Sequence, residues 1–293
     1  LLGNVINVIL NFLLIFGLWI FPKLGVEGAA IGTLISRICM LTFIIIYLKL
    51  HKKLSLYIKR FFPTKVQINR VKKILYLGLP SALHSFFEVA FFISAVWMAG
   101  IIGKNSQAAN QIALNLSSMT YMVALGVGVA AMIRVGNQRG MMNFIKLREV
   151  ALSTLLLIII VDIFFCLIFL IFNDYLPLLY LDPSDSNNIT DVNEVLQIAS
   201  KLLIIAGIFQ LFDGIQAVVL GALRGMQDVN KPALIIFLSY GLIGFPTSYF
   251  LGFYTSLSVV GIWIGLMVGL FSSSLFLFLR FNYLSKKTIR LNV

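Results

Sequence analysis

The chain has 293 residues, of which 60% are hydrophobic and only 12% charged, and it carries a formal charge of +12. A soluble domain of this length holds about twice that charged fraction, and disordered or disulfide-stapled proteins lack apolar runs of about 20 residues. Such runs recur here from end to end, so the basic excess points first to membrane topology and not to nucleic acid.

Backbone polar groups in lipid must be bonded within the segment, so each apolar run predicts a helix. Eight are expected, over 1–21, 28–48, 74–102, 107–133, 150–172, 195–223, 233–253 and 258–279. The fold class is therefore an all-α polytopic membrane protein. Leu1 is not Met and opens inside an apolar run, which leads us to expect a piece of a longer protein. Cys39 and Cys166 fall within spans and read as small buried hydrophobes.

Alternate connections 49–73, 134–149, 224–231 and 280–293 hold 19 of the 23 Lys and Arg. The intervening loop 174–194 is acidic. This asymmetry places the basic connections in the cytoplasm and accounts for most of the +12. Segment 49–73 is the longest basic stretch and is interspersed with apolar residues, as a linker lying along anionic headgroups would be. It divides the chain into 1–48, the basic linker 49–73, a six-helix part 74–283 and a tail 284–293.

Residues 25–32 (GVEGAAIG) and 258–265 (SVVGIWIG) each open a span, and Val26, Gly28, Ile31 and Gly32 match Val259, Gly261, Ile264 and Gly265 in order. A duplicated bundle is a common transporter architecture and would make the parent twelve helices in two lobes of six. Gly28, Gly32 and Ser36, like Gly261, Gly265, Gly269 and Ser273, recur every four residues and predict close helix approach along one stripe.

An ionised group in mid-membrane is costly, which makes each intramembrane acid a functional candidate. Glu88 lies in the third span with His84 one turn before it, Asp213 in the sixth with Phe209 and Gln216 on neighbouring turns, and Asp162 in the fifth. Two carboxylates in one bundle can bind a cation or share protons. Phe86, Phe87, Phe91 and Met98 are expected to line an apolar cavity. Pro80 and Pro246 are expected to interrupt the helix ladder and permit bending. Metal-protease, nucleophile-elbow and P-loop signatures are missing, so the chain does not read as an enzyme or an ATP-driven pump.

The segments LGLPSALHSFFEVAFF, AANQIALNLSSMTYMVALGVGVAAMIRVGNQRG, FQLFDGIQAVVLGALRGMQD and GIWIGLMVGL occur in the order and spacing of the multidrug and toxic compound extrusion (MATE) family, which the chain resembles from Asn4 to Phe281. The NorM-type bacterial branch is the nearest in pattern. The resemblance implies eight transmembrane helices of a twelve-helix, two-lobe antiporter, monomeric, multi-pass in the cell membrane, and without a cofactor or resident metal. It further implies export of small amphiphilic or cationic drug-like substrates against Na+ or H+, with Glu88 and Asp213 coupling the cation and no nucleic-acid partner. Asp162, His84, Gln216 and Phe209 are supporting candidates. Some members carry a tyrosine where Phe209 stands, so the shell here is one oxygen short. Many members read AAHQI where residues 108–112 read AANQI. A lipid-linked oligosaccharide flippase and a membrane-embedded enzyme using Glu88, His84 and Asp162 are the alternative classes.

Overall fold

The computed structural model describes residues 2–19, 21–51, 67–181 and 189–292. Most of the basic 49–73 linker and of the acidic stretch after residue 181 lie outside the described residues. Among the described residues eight helical rods run in chain order: α1 Leu2–Phe16, α2 Val26–Leu50, α3 Ile68–Ile102, α4 Lys104–Gly140, α5 Phe144–Ile171, α6 Ile189–Gly225, α7 Asn230–Phe253 and α8 Val259–Asn292. Seven of them, α2 to α8, are long and apolar enough to cross a membrane, and no strand occurs among the described residues. The chain separates into two compact units, Leu1–Ile68 and Asn69–Val293.

The first expected span proves shorter than its apolar run. Helix α1 ends at Phe16 because Gly17 takes a left-handed backbone conformation (φ 67°) and the N–H groups of Gly17 and Leu18 both return to the Leu13 carbonyl. Hydropathy continues through Leu18 and Trp19, but the helix does not. Elsewhere the helices overrun the expected spans, most of all α8, which extends through the basic residues 280–292 as one rod.

Pro80 leaves α3 unbroken, contrary to the expected interruption. Pro246 behaves differently: the turn before it, Ser239–Gly244, is wound as a π-helix. Proline offers no N–H and crowds the preceding turn, and a wider turn accommodates both.

Both small-residue stripes face the helix that precedes them. A Cβ on Gly28 would meet the Leu14 backbone, and one on Gly32 would meet Asn11. In the second unit, Gly261 abuts the Leu251 backbone and Gly265 abuts Ser248. Only glycine admits these approaches, and close backbone packing replaces the hydrophobic drive that lipid removes. In the first unit Asn7 also donates from Nδ2 to Thr33 Oγ1 (3.2 Å) and Ser36 Oγ (3.3 Å), tying α1 to α2.

Helix α6 is the hub of the second unit, packing on α4, α5 and α8, while α8 also packs on α7. Trp263, Phe209, Leu202, Leu203 and Leu223 are fully buried around it. Trp263 Nε1 donates to Asn110 Oδ1 at 2.9 Å, which gives the asparagine of the AANQI segment a structural role. Outward-facing Leu156, Ile160 and Phe164 make a one-sided apolar stripe on α5, as a helix facing lipid requires.

Helix α3 stands apart in how it is held. It forms no close main-chain seam with the other described helices of the second unit. Side chains hold it at a distance instead: Phe87 packs on Phe237 (4.8 Å between ring centroids), Phe91 stacks on Tyr240 (4.7 Å) and Phe92 meets Phe209 edge-on (6.0 Å).

Candidate cation-binding site

Between α3, α4 and α6 lies a cavity of about 500 Å3. Helix α3 contributes Ser85, Glu88, Val89 and Phe92 to its wall, residues that a 3.6-residue period places along one side. Helix α4 contributes a polar face, with Gln111, Asn115, Ser118 and Tyr121 at successive turns and Ser117 beside them. From α6 come Phe209 and Asp213.

Glu88 and Asp213, 125 positions apart in sequence, thus open into the same space. Tyr121 donates its hydroxyl to Glu88 Oε1 across a long 3.5 Å. Asp213 is buried and lies within electrostatic reach of both Glu88 and Asp162. Ser117 Oγ is buried without a hydrogen-bond partner among the described residues. The wall therefore supplies carboxylate, hydroxyl and amide oxygens, the donor set of a hard cation or a proton, and carries no Lys or Arg among the described residues. No group of three or more His, Cys, Asp or Glu suited to a resident metal occurs among them either.

The supporting candidates fall in different places. Phe209 lines the cavity and packs on Trp263, so α6 brings no hydroxyl to the wall at this position. Gln216 exchanges hydrogen bonds with Tyr240 (2.6 and 2.9 Å), one turn beyond Asp213. Asp162 is 2% exposed and faces Gly214 of α6, where any Cβ would collide with its carboxylate. Its Oδ2 has no hydrogen-bond partner among the described residues, and it does not reach the cavity wall.

His84 is buried one turn below Glu88. Its Nε2 lies 3.8 Å from Glu88 Oε2, and its Nδ1 lies 3.1 Å from Arg224 Nη2. From sequence alone Arg224 belongs to the basic connection 224–231, and Tyr121 is not among the charged residues that mark the spans. The signal for Tyr121 was present, as the last member of the polar face spaced 111, 115, 118 and 121.

The four residues expected at an apolar cavity wall, Phe86, Phe87, Phe91 and Met98, lie outside the wall that holds the acids. Phe91 and Met98 are core residues, and the Phe91 ring occupies the room left by Gly244 and Gly269. Phe87 is a spacer, and Phe86 points outward at 64% exposure. Phe92, next along the helix, is the aromatic at the wall.

Residues 80–250 match the MatE family model. The chain is 34% identical over 98% of its length to a probable multidrug resistance protein NorM of Agrobacterium fabrum, and 33% identical over 96% to its counterpart in Bacillus subtilis. It spans 61% and 60% of those relatives. Among solved structures, the eukaryotic MATE transporter AtDTX14 superposes with a TM-score of 0.82 at 22% identity, over 99% of this chain and 63% of that one. An outward-facing multidrug resistance MATE family transporter of the MOP superfamily gives 0.80 at 21%, over 99% and 62%. The fold is shared at these low identities.

Proposed function

From its membership of the MatE family, to which this chain belongs, we propose that it forms the greater part of a secondary transporter exporting drug-like compounds in exchange for Na+ or H+. It is a multi-pass protein of the cell membrane, in a family of transporters and not of enzymes.

The observation that carries this reading is the meeting of Glu88 and Asp213 in one cavity. Two carboxylates lining one low-dielectric space repel, and a cation entering that space relieves the repulsion. The cation then favours whichever arrangement of α3 and α6 holds both carboxylates closest to it. That preference, and not the binding itself, is what can drive a conformational change. Amphiphilic and often cationic substrates are the class that an acidic, partly apolar cavity accepts. A cavity for a lipid-linked pyrophosphate would carry cations on its wall, and the acid-lined wall disfavours that alternative.

The experiment is cation-driven efflux of a fluorescent cationic dye from cells making the complete protein. Glu88→Gln combined with Asp213→Asn is expected to lower efflux by about tenfold or more, within the range of typical coupling energies. Asp162→Asn, remote from the wall, is expected to lose less. Undiminished efflux with unchanged ion dependence in the double variant would rule the acid pair out.

A further inference from the structure

A second, smaller cavity of about 100 Å3 adjoins the first. Ser85, Glu88 and Tyr121 line both, so Glu88 stands in the partition between them. The smaller space runs along α4 and α6 past Gly128 and Gly221 and ends at Arg224. Arg224 lies 11 residues beyond Asp213 on α6, about 16 Å along the helix axis. That direction leads toward the basic end of the bundle, which charge asymmetry assigns to the cytoplasm.

Arg224 is the one Lys or Arg, among the described residues, that lines either of these two cavities. Its contact with His84 fixes what each group contributes. A guanidinium only donates hydrogen bonds, so His84 Nδ1 must accept, and the ring proton then sits on Nε2, facing Glu88. The imidazole is thereby a neutral strut, and the fixed positive charge belongs to Arg224. Glu88 and Tyr121 face this charge from α3 and α4, while Gln216, also on the wall of the smaller cavity, is bonded to Tyr240.

We infer that Arg224, anchored on His84, is the inner electrostatic gate of the cation path. A cation leaving Glu88 for the basic end must pass the guanidinium, which opposes it as fixed cations do in selective pores. The anchor sits on α3, the helix without a main-chain seam, so a shift of α3 draws the guanidinium's anchor away. Cation release inward is thus tied to the position of the helix that carries Glu88. The inference rests on the cation-exchange reading above.

The test uses the complete protein in proteoliposomes under an imposed cation gradient. It measures substrate transport, and it measures cation entry without substrate by radioactive sodium and an internal pH dye. Failure of the unaltered protein to move substrate against either gradient would overturn the transport reading itself. Given coupled transport, Arg224→Gln should raise substrate-free cation entry by about tenfold or more, the scale of a unit charge removed from a partly buried path. Arg224→Lys should stay near the unaltered level, and His84→Ala should leak because the anchor is lost. A well-folded Arg224→Gln protein with no leak overturns the gate. Loss of coupled transport in both Arg224 variants without leak also overturns it, because that marks a structural role. If Arg224→Gln does not accumulate, the His84→Ala flux decides by the same criterion.

Discussion

Tyr121 brings a hydroxyl to Glu88 from another helix, on a wall to which α6 contributes the Asp213 carboxyl and the Phe209 ring. The bond is long, and the oxygen is free to approach a bound cation as well as the carboxylate. Tyr121→Phe removes that oxygen and almost no volume. The cation concentration for half-maximal efflux should rise by about two- to tenfold, the worth of one hydrogen bond to a charged group of imperfect geometry. Unchanged cation dependence at normal protein yield would place the hydroxyl outside the shell. Glu88 and Asp213 could be picked out of the sequence because acids within apolar runs are few. Tyr121 shows only as the last member of a polar row on α4, with nothing to single it out from the others, and Arg224, an arginine after a span, counts as loop charge. Their roles depend on which helices become neighbours, information that no local pattern contains.

Among elements, the closest approach lies between α4 and α6. A Cβ on Gly128 would meet the Ala217 carbonyl, and one on Gly221 would meet the Gly128 backbone. Gly126, two residues away, faces open space. Gly221→Ala should therefore destabilise the bundle by about 1–3 kcal/mol, the usual cost of overpacking. Gly126→Ala should leave it unchanged. Heat-induced loss of the monodisperse peak on size-exclusion chromatography in detergent measures both, and equal behaviour of the two variants would refute the seam. The hairpin stripes at Gly28 and Gly261 could be read from their four-residue spacing because each packs on the helix just before it. The α4–α6 seam joins segments about 90 residues apart, and spacing alone does not say which stripe meets which. The early end of α1 was hidden for another reason: hydropathy integrates over a window, whereas Gly17 ends the helix by its backbone conformation at one residue.

At the scale of the whole molecule, charge and clamps coincide at one end. Asp228 pairs with Arg280 (2.9 Å), and Arg148 donates to Asn282 Oδ1 and Ser285 Oγ (2.7 Å each), so α5 and the turn before α7 are both tied to the basic extension of α8. That end should face the cytoplasm. Ser256, exposed between α7 and α8, and Lys287, exposed on the far part of α8, test it directly. In a background lacking Cys39 and Cys166, an impermeant maleimide should label Ser256→Cys in intact cells. Lys287→Cys should react only after permeabilisation. The reverse pattern would invert the topology and with it the inward direction of the Arg224 path.

The aromatic spacers under α3 have one more consequence. A helix glued to its neighbour through glycines moves only by peeling main chain from main chain. One resting on rings behaves more like a shaft on bearings, able to roll or slide as Phe87, Phe91 and Phe92 change rotamer, with no backbone hydrogen bond broken. Trimming a bearing should then alter how readily the shaft turns while the block around it, built on α6, stays whole.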